Sequence, residues 1–162
     1  MSKKPTRGDE LYSDDVFWVL FDYEVTRSQR YPSSLTLIKI EMTPSAGDPI
    51  INRAAASIFS VALNSHLRMA DIPTGNGNSY LILLPTTDES GGRAVCERML
   101  SVFRNRFDTT EGASITFSIN MGMASHPGGP SLTVDELLRG TEKAIQQSKL
   151  NGPNTYVVSS DL

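Results

Sequence analysis

The sequence predicts a mixed α/β (α+β) fold, a sheet covered by helices. Three observations carry this. Stretches with apolar residues at helical spacing alternate with runs of strand formers. A Gly- and Asn-rich segment, Thr74–Ser79, separates two such runs in mid-chain, as a hairpin connection would. No repeat and no long linker splits the chain, so residues 13–160 read as one domain behind a polar, disordered lead-in at 1–12.

The elements follow in order. Residues 14–30 predict a helix, with Val16, Val19, Leu20 and Tyr23 as its apolar stripe and Ser13 or Asp14 as its cap. The run "SLTLIKIEM" (34–42) predicts a strand, closed by the breaker cluster "TPSAGDP". Ile51, Ala55, Ile58, Ala62 and Leu67 predict one helix ending near Arg68. A short segment at 70–73 leads into the turn, and "YLILLP" is a buried strand stopped by Pro85. "TTDES" supplies caps for a helix over 91–107, with Val95, Met99 and Val102 inward. "SITFSINMGMAS" (114–125) is a long strand. Thr133 and Glu136 have capping-box spacing at the start of a helix lined by Val134, Leu137, Leu138, Thr141, Ile145 and Ser148. "NGPN" ends it, and "TYVVS" is a last strand.

Bulk properties narrow the function. The chain has 162 residues and a formal net charge of −3. That balance gives no general attraction to nucleic acid or to an anionic membrane. A single cysteine, Cys96, excludes an internal disulfide and fits the cytoplasm. Two histidines, His66 and His126, lie too far apart to form a zinc site with it. No apolar run approaches a membrane span.

The order of elements and several local patterns resemble the GGDEF domain of diguanylate cyclases, from about Asp14 to Val158. "FWVLFDYEVTRSQRY" resembles the family's first long helix. "RMADIPTGNGNSYLILLPTTD" resembles its signature hairpin. "INMGMASHP" is similar to its serine-isoleucine-glycine strand, with Gly122 kept and Asn120 in place of serine. "LLRGTEKAIQQSKLNGPN" is similar to its closing helix, with Ala144, Lys149, Gly152 and Asn154 in matching places. The resemblance implies a central five-stranded, mainly antiparallel sheet flanked by helices. It also implies synthesis of cyclic di-GMP from GTP, a metal-assisted phosphoryl transfer that needs carboxylates.

This sequence departs from that pattern at the positions that matter. The signature aligns with Asn76, Gly77, Asn78, Ser79 and Tyr80, in a turn one residue short. Ser79 stands where the resemblance implies a metal-binding glutamate. Lys39 stands where it implies the first metal-binding aspartate, and a fixed positive charge there repels Mg²⁺. Glu41 alone does not make a two-metal site. The guanine-reading loop is shortened to "TPSAGDP", and "ELYSDD" replaces an early element that carries an arginine. Lys149 could meet a phosphate, but one lysine is no triphosphate pocket. The expectation is a degenerate, inactive GGDEF-like domain with no metal or other cofactor.

"RMAD" keeps one family feature. In position it resembles the RxxD site at which family members bind cyclic di-GMP. Arginine offers a planar fork and aspartate accepts from guanine N–H groups. Two readings of Arg68 and Asp71 stand open: a retained cyclic di-GMP receptor site, or an ordinary surface ion pair worth roughly 0–1 kcal/mol. Two roles follow: a cyclic di-GMP receptor, or a module that binds a signalling protein or a second copy with no nucleotide. Among other residues, Trp18 reads as core or packing rim, and Met99, Met121 and Met123 as core. His66 and His126 read as surface, Cys96 as a small buried residue, and "GGPS" and "SGGR" as turns.

Overall fold

The computed structural model describes residues 10–46, 48–110 and 112–162. Its elements are α1 (Asp14–Arg30), β1 (Leu35–Ser45), α2 (Pro49–Arg53), α3 (Ala55–Ser65), β2 (Ile72–Asn76), β3 (Ser79–Pro85), α4 (Glu89–Phe103), β4 (Phe107–Asp108), β5 (Ser114–His126), α5 (Val134–Asn151) and β6 (Thr155–Val158). The sheet runs β2-β3-β1-β5, with β6 parallel to β5 and every other pairing antiparallel. The two-residue β4, absent from the sequence reading, pairs with the start of β5.

β1 shows how the sheet divides the core. Its side chains alternate between faces. Ile38, Ile40 and Met42 join Phe59, Tyr80, Ile82, Met99, Phe103 and Phe117 on the side of α3 and α4. Leu35 and Leu37 join Phe17, Phe21, Leu83 and Leu137 on the side of α1 and α5. Both faces are covered, so the strand is apolar on both sides rather than on one. Met99, Met121, Met123 and Cys96 are fully buried, as expected. Phe59 and Phe103 stack at 4.2 Å between centroids, which fixes α3 against α4.

The helices begin where their capping chemistry says. Ser13, Asp88 and Thr133 each accept a hydrogen bond from the first turn of α1, α4 and α5. Asp14 and Asp15 open α1 and Arg27 and Arg30 close it, which complements the helix dipole.

Several expectations are corrected. α1 buries Phe17, Leu20, Phe21 and Glu24, whereas Val19 and Tyr23 are 68% and 62% exposed. The aromatic pair Phe17 and Phe21 outweighs the Val19–Tyr23 stripe because larger rings bury more area against the sheet. The single helix over 51–68 is two helices, since Ala54 takes ψ −7 and opens the hydrogen-bond ladder. β1 runs past Met42 to Ser45, held by β5 as far as Ser45↔Thr116. Gly47, in the cluster expected to break the chain, lies outside the described residues. α4 starts at Glu89 and ends at Phe103, so "SGGR" is helix, not turn; Gly92 lets it sit against Met123 and Thr36. Of the expected lead-in, residues 1–9 lie outside the described residues. Tyr12 is buried and pairs with Thr74, its N–H donating to the Pro73 carbonyl at 3.0 Å.

Candidate functional site

The hairpin that carries the resemblance is built tightly. Asn76 pairs with Ser79, which leaves Gly77 and Asn78 as a two-residue turn. Gly77 has φ 66, the left-handed first position that a type II′ turn reserves for glycine. The strands thus reach further into "TGNGNS" than the sequence implied. Tyr80 turns into the core, where its ring covers Gly75; a Cβ on Gly75 would stand 1.9 Å from that ring. Its hydroxyl donates to the Gly77 carbonyl at 2.9 Å. Asn76, Asn78 and Ser79 are exposed and neutral.

Register brings Lys39 and Ser79 onto one face. Lys39 pairs with Leu81 and Glu41 with Ser79. On the other side of β1, Lys39 faces Gly122. Because Gly122 has no side chain, α5 lies directly on β5; a Cβ there would be 2.3 Å from the Thr141 carbonyl oxygen. That approach delivers Glu142, whose Oε2 accepts from Lys39 Nζ at 2.7 Å. One helical segment later Lys149 pairs with Glu41. Lys39 donates to the Glu142 carboxyl, and Gln146 adds a second bond; together they hold it below the usual carboxylate range. Trp18, Leu81, Leu138 and Arg139 complete a shallow, mostly apolar concavity of about 400 Å³ around Lys39 and Ser79.

These residues do not fit a divalent cation. Magnesium takes hard oxygen ligands from carboxylates. Here the two positions assigned to ligands hold an ammonium and a hydroxyl. Glu41 and Glu142 are each neutralised by a lysine. Among the described residues no group of three or more His, Cys, Asp or Glu could hold a metal ion.

Arg68 and Asp71 sit at a second place, behind the hairpin. The surface-pair reading is corrected: Asp71 is fully buried. Its Oδ2 accepts from the Arg68 backbone N–H at 2.8 Å, and its Oδ1 from Arg68 Nη2 at 3.0 Å and Nε at 3.3 Å. Arg68 Nη2 also donates to the Pro85 carbonyl and to Thr87 Oγ1. The pair therefore ties the turn after α3 to the end of β3. The arginine side chain stays 54% exposed.

That exposed guanidinium lines a concavity of about 480 Å³ with Ser33, Thr86, Asp88, Gly91 and Arg98. Two arginines from separate elements, with the amino end of α4 between them, favour an anionic ligand. Thr86 holds φ 50, a costly conformation for a β-branched residue, of the kind that clusters at binding sites. Sequence reading missed Arg98, Asp88 and Thr86. Arg98 had no local signal, because only the packing of α4 brings it beside Arg68. Of the remaining residues, His66 is exposed as expected. His126 is not a surface residue: its side chain is 12% exposed, and Nδ1 accepts from the Gly128 N–H at 2.9 Å. Trp18 is half-buried and stacks on Phe21. Asn120 donates to Ser148 and to the Gly152 carbonyl, so it locks α5 to β5.

No family model and no curated protein sequence matches the chain. Solved structures do. The chain is similar to the active GGEEF domain of a diguanylate cyclase from Vibrio cholerae, with TM-score 0.74 and 16% identity over 93% of this chain and 98% of that one. It is similar to the GGDEF domain of DgcB from Caulobacter crescentus in complex with c-di-GMP, with TM-score 0.75 and 12% identity over 99% and 98%. It is also similar to diguanylate cyclase SiaD in complex with its activator SiaC from Pseudomonas aeruginosa, with TM-score 0.75 and 19% identity over 91% of this chain and 58% of that one. The chain has the GGDEF fold.

Proposed function

We propose that this chain is a catalytically silent GGDEF-like signalling module that receives cyclic di-GMP rather than making it. The observation that carries the reading is the concavity between Arg68 and Arg98. Two guanidinium groups can pair with phosphodiester oxygens and stack on purine faces. The DgcB domain, of the same fold, was solved with c-di-GMP. Silence follows from Lys39 and Ser79. With a lysine and a serine at the ligand positions, nothing neutralises the charge that develops on a transferring phosphoryl group.

Isothermal titration of the purified chain with cyclic di-GMP tests the receptor. Binding that Arg68→Ala and Arg98→Ala each weaken roughly tenfold or more supports it. Binding unchanged in both variants overturns it. Incubation with GTP and Mg²⁺ tests silence, and Mg²⁺-dependent formation of cyclic di-GMP would refute it. A second reading, a protein-binding or dimerisation module with no nucleotide, rests on a different observation. Val19 and Tyr23 lie exposed one turn apart on α1, near Trp18. SiaD, again of the same fold, was solved with a protein activator. Light scattering and a titration without nucleotide response would favour this reading.

A further inference from the structure

We propose that Asp88, not Asp71, is the carboxylate that reads the guanine edge in the Arg68–Arg98 concavity; the inference rests on the receptor reading above. Guanine presents two adjacent donors, N1–H and the 2-amino group, and a carboxylate is their natural partner. Adenine presents an acceptor at N1 instead, which a carboxylate repels. A guanine-selective site therefore needs an accessible carboxylate. Asp71 does not supply one. It is fully buried, and both its oxygens accept from Arg68. Its work is to hold the Arg68 fork against Pro85 and Thr87, which makes it a positioning residue.

Asp88 meets the requirement. It is exposed, and it lines the concavity together with Arg68 and Arg98. Its Oδ1 caps α4 by accepting from the Gly91 N–H at 2.9 Å. That bond fixes the side chain, and no other hydrogen bond to its carboxylate is formed among the described residues, so Oδ2 stays open to a ligand. The pocket then holds two cations for phosphates or purine faces and one oriented anion for the base edge.

The test compares cyclic di-GMP with cyclic di-AMP by titration calorimetry on wild type, Asp88→Asn, Asp88→Ser and Asp71→Asn. Asparagine and serine both cap helices well, so the Asp88 variants keep α4; thermal unfolding checks this. Wild type is expected to prefer cyclic di-GMP by roughly 10- to 100-fold. Both Asp88 variants should lose that preference. Asp71→Asn, by loosening Arg68, should weaken both ligands together and keep it. If the Asp88 variants retain the wild-type preference while Arg68→Ala and Arg98→Ala lose binding, the pocket stands and the role of Asp88 is refuted. If wild type binds neither dinucleotide, the receptor reading falls and this inference with it.

Discussion

Gly122 of β5 lies so close beneath α5 that a Cβ on it would meet the Ile145 nitrogen at 2.4 Å. The neighbours are helix backbone, which cannot swing aside as a side chain can. The contact sets the height of α5 above the sheet and hence the reach of Glu142 to Lys39. Gly122→Ala should cost about 2–3 kcal/mol, at the upper end for overpacking. Urea denaturation would show a lower midpoint. An unchanged midpoint would mean that α5 does not sit this close.

Asp71 gives a second prediction, independent of any ligand. Asp71→Ala removes three hydrogen bonds from Arg68 and leaves the buried turn N–H without its acceptor. Charge-assisted bonds in a buried setting contribute about 1.5–3 kcal/mol. The variant should lose stability of that order, with a melting temperature lower by roughly 4–10 °C. A surface pair would cost less than about 1 kcal/mol, so thermal unfolding separates the two descriptions.

The phase of α1 can be read by truncation. Phe17 and Phe21 are fully buried, so Phe17→Ala and Phe21→Ala should each cost about 3–5 kcal/mol. Val19→Ser and Tyr23→Ser face solvent and should change stability by less than about 0.5 kcal/mol. Denaturation of the four variants would reverse this order if the sequence-derived stripe were the buried one.

Much of the fold was legible because it rests on local chemistry. Ser13, Thr133 and the Gly77 turn announced their elements through capping and φ preference alone. What failed was choice between two plausible faces. Val16, Val19, Leu20 and Tyr23 keep helical spacing, and so do Phe17, Phe21, Glu24 and Ser28; only the sheet beneath decides. The break at Ala54 left no glycine or proline to mark it. The candidate site divides in the same way. Lys39 and Ser79 could be placed because strand register is fixed by alternation. The distance from Arg98 to Arg68 depends on how α4 crosses the sheet, which no short pattern records.

Cys96 offers a chemical check on that crossing. Burial, with Glu97 nearby, pushes its thiol up to about 12, and the thiolate is the reactive form. At pH 8 a disulfide reagent such as dithionitrobenzoate should modify native protein far more slowly than protein unfolded in urea. Equal rates would show that α4 does not cover the thiol.

The Lys39–Glu142 pair makes stability depend on pH, with a definite sign. Lys39 and Gln146 hold the folded-state carboxyl of Glu142 below its ordinary value. The unfolded chain therefore binds its proton first as pH falls. The stabilisation is fully present above about pH 4.3, the ordinary glutamate value, and is lost as pH drops through the lower folded value. Lys39 is 23% and Glu142 51% exposed, so solvent screens the pair and its contribution is about 0.5 kcal/mol. Glu142→Gln cannot ionise. Wild type should exceed it by that amount at pH 7, and the gap should close near pH 3 and shrink in high salt. Urea titrations at the two pH values measure it. A gap that stays constant would assign the difference to packing of α5 rather than to the charge on Lys39.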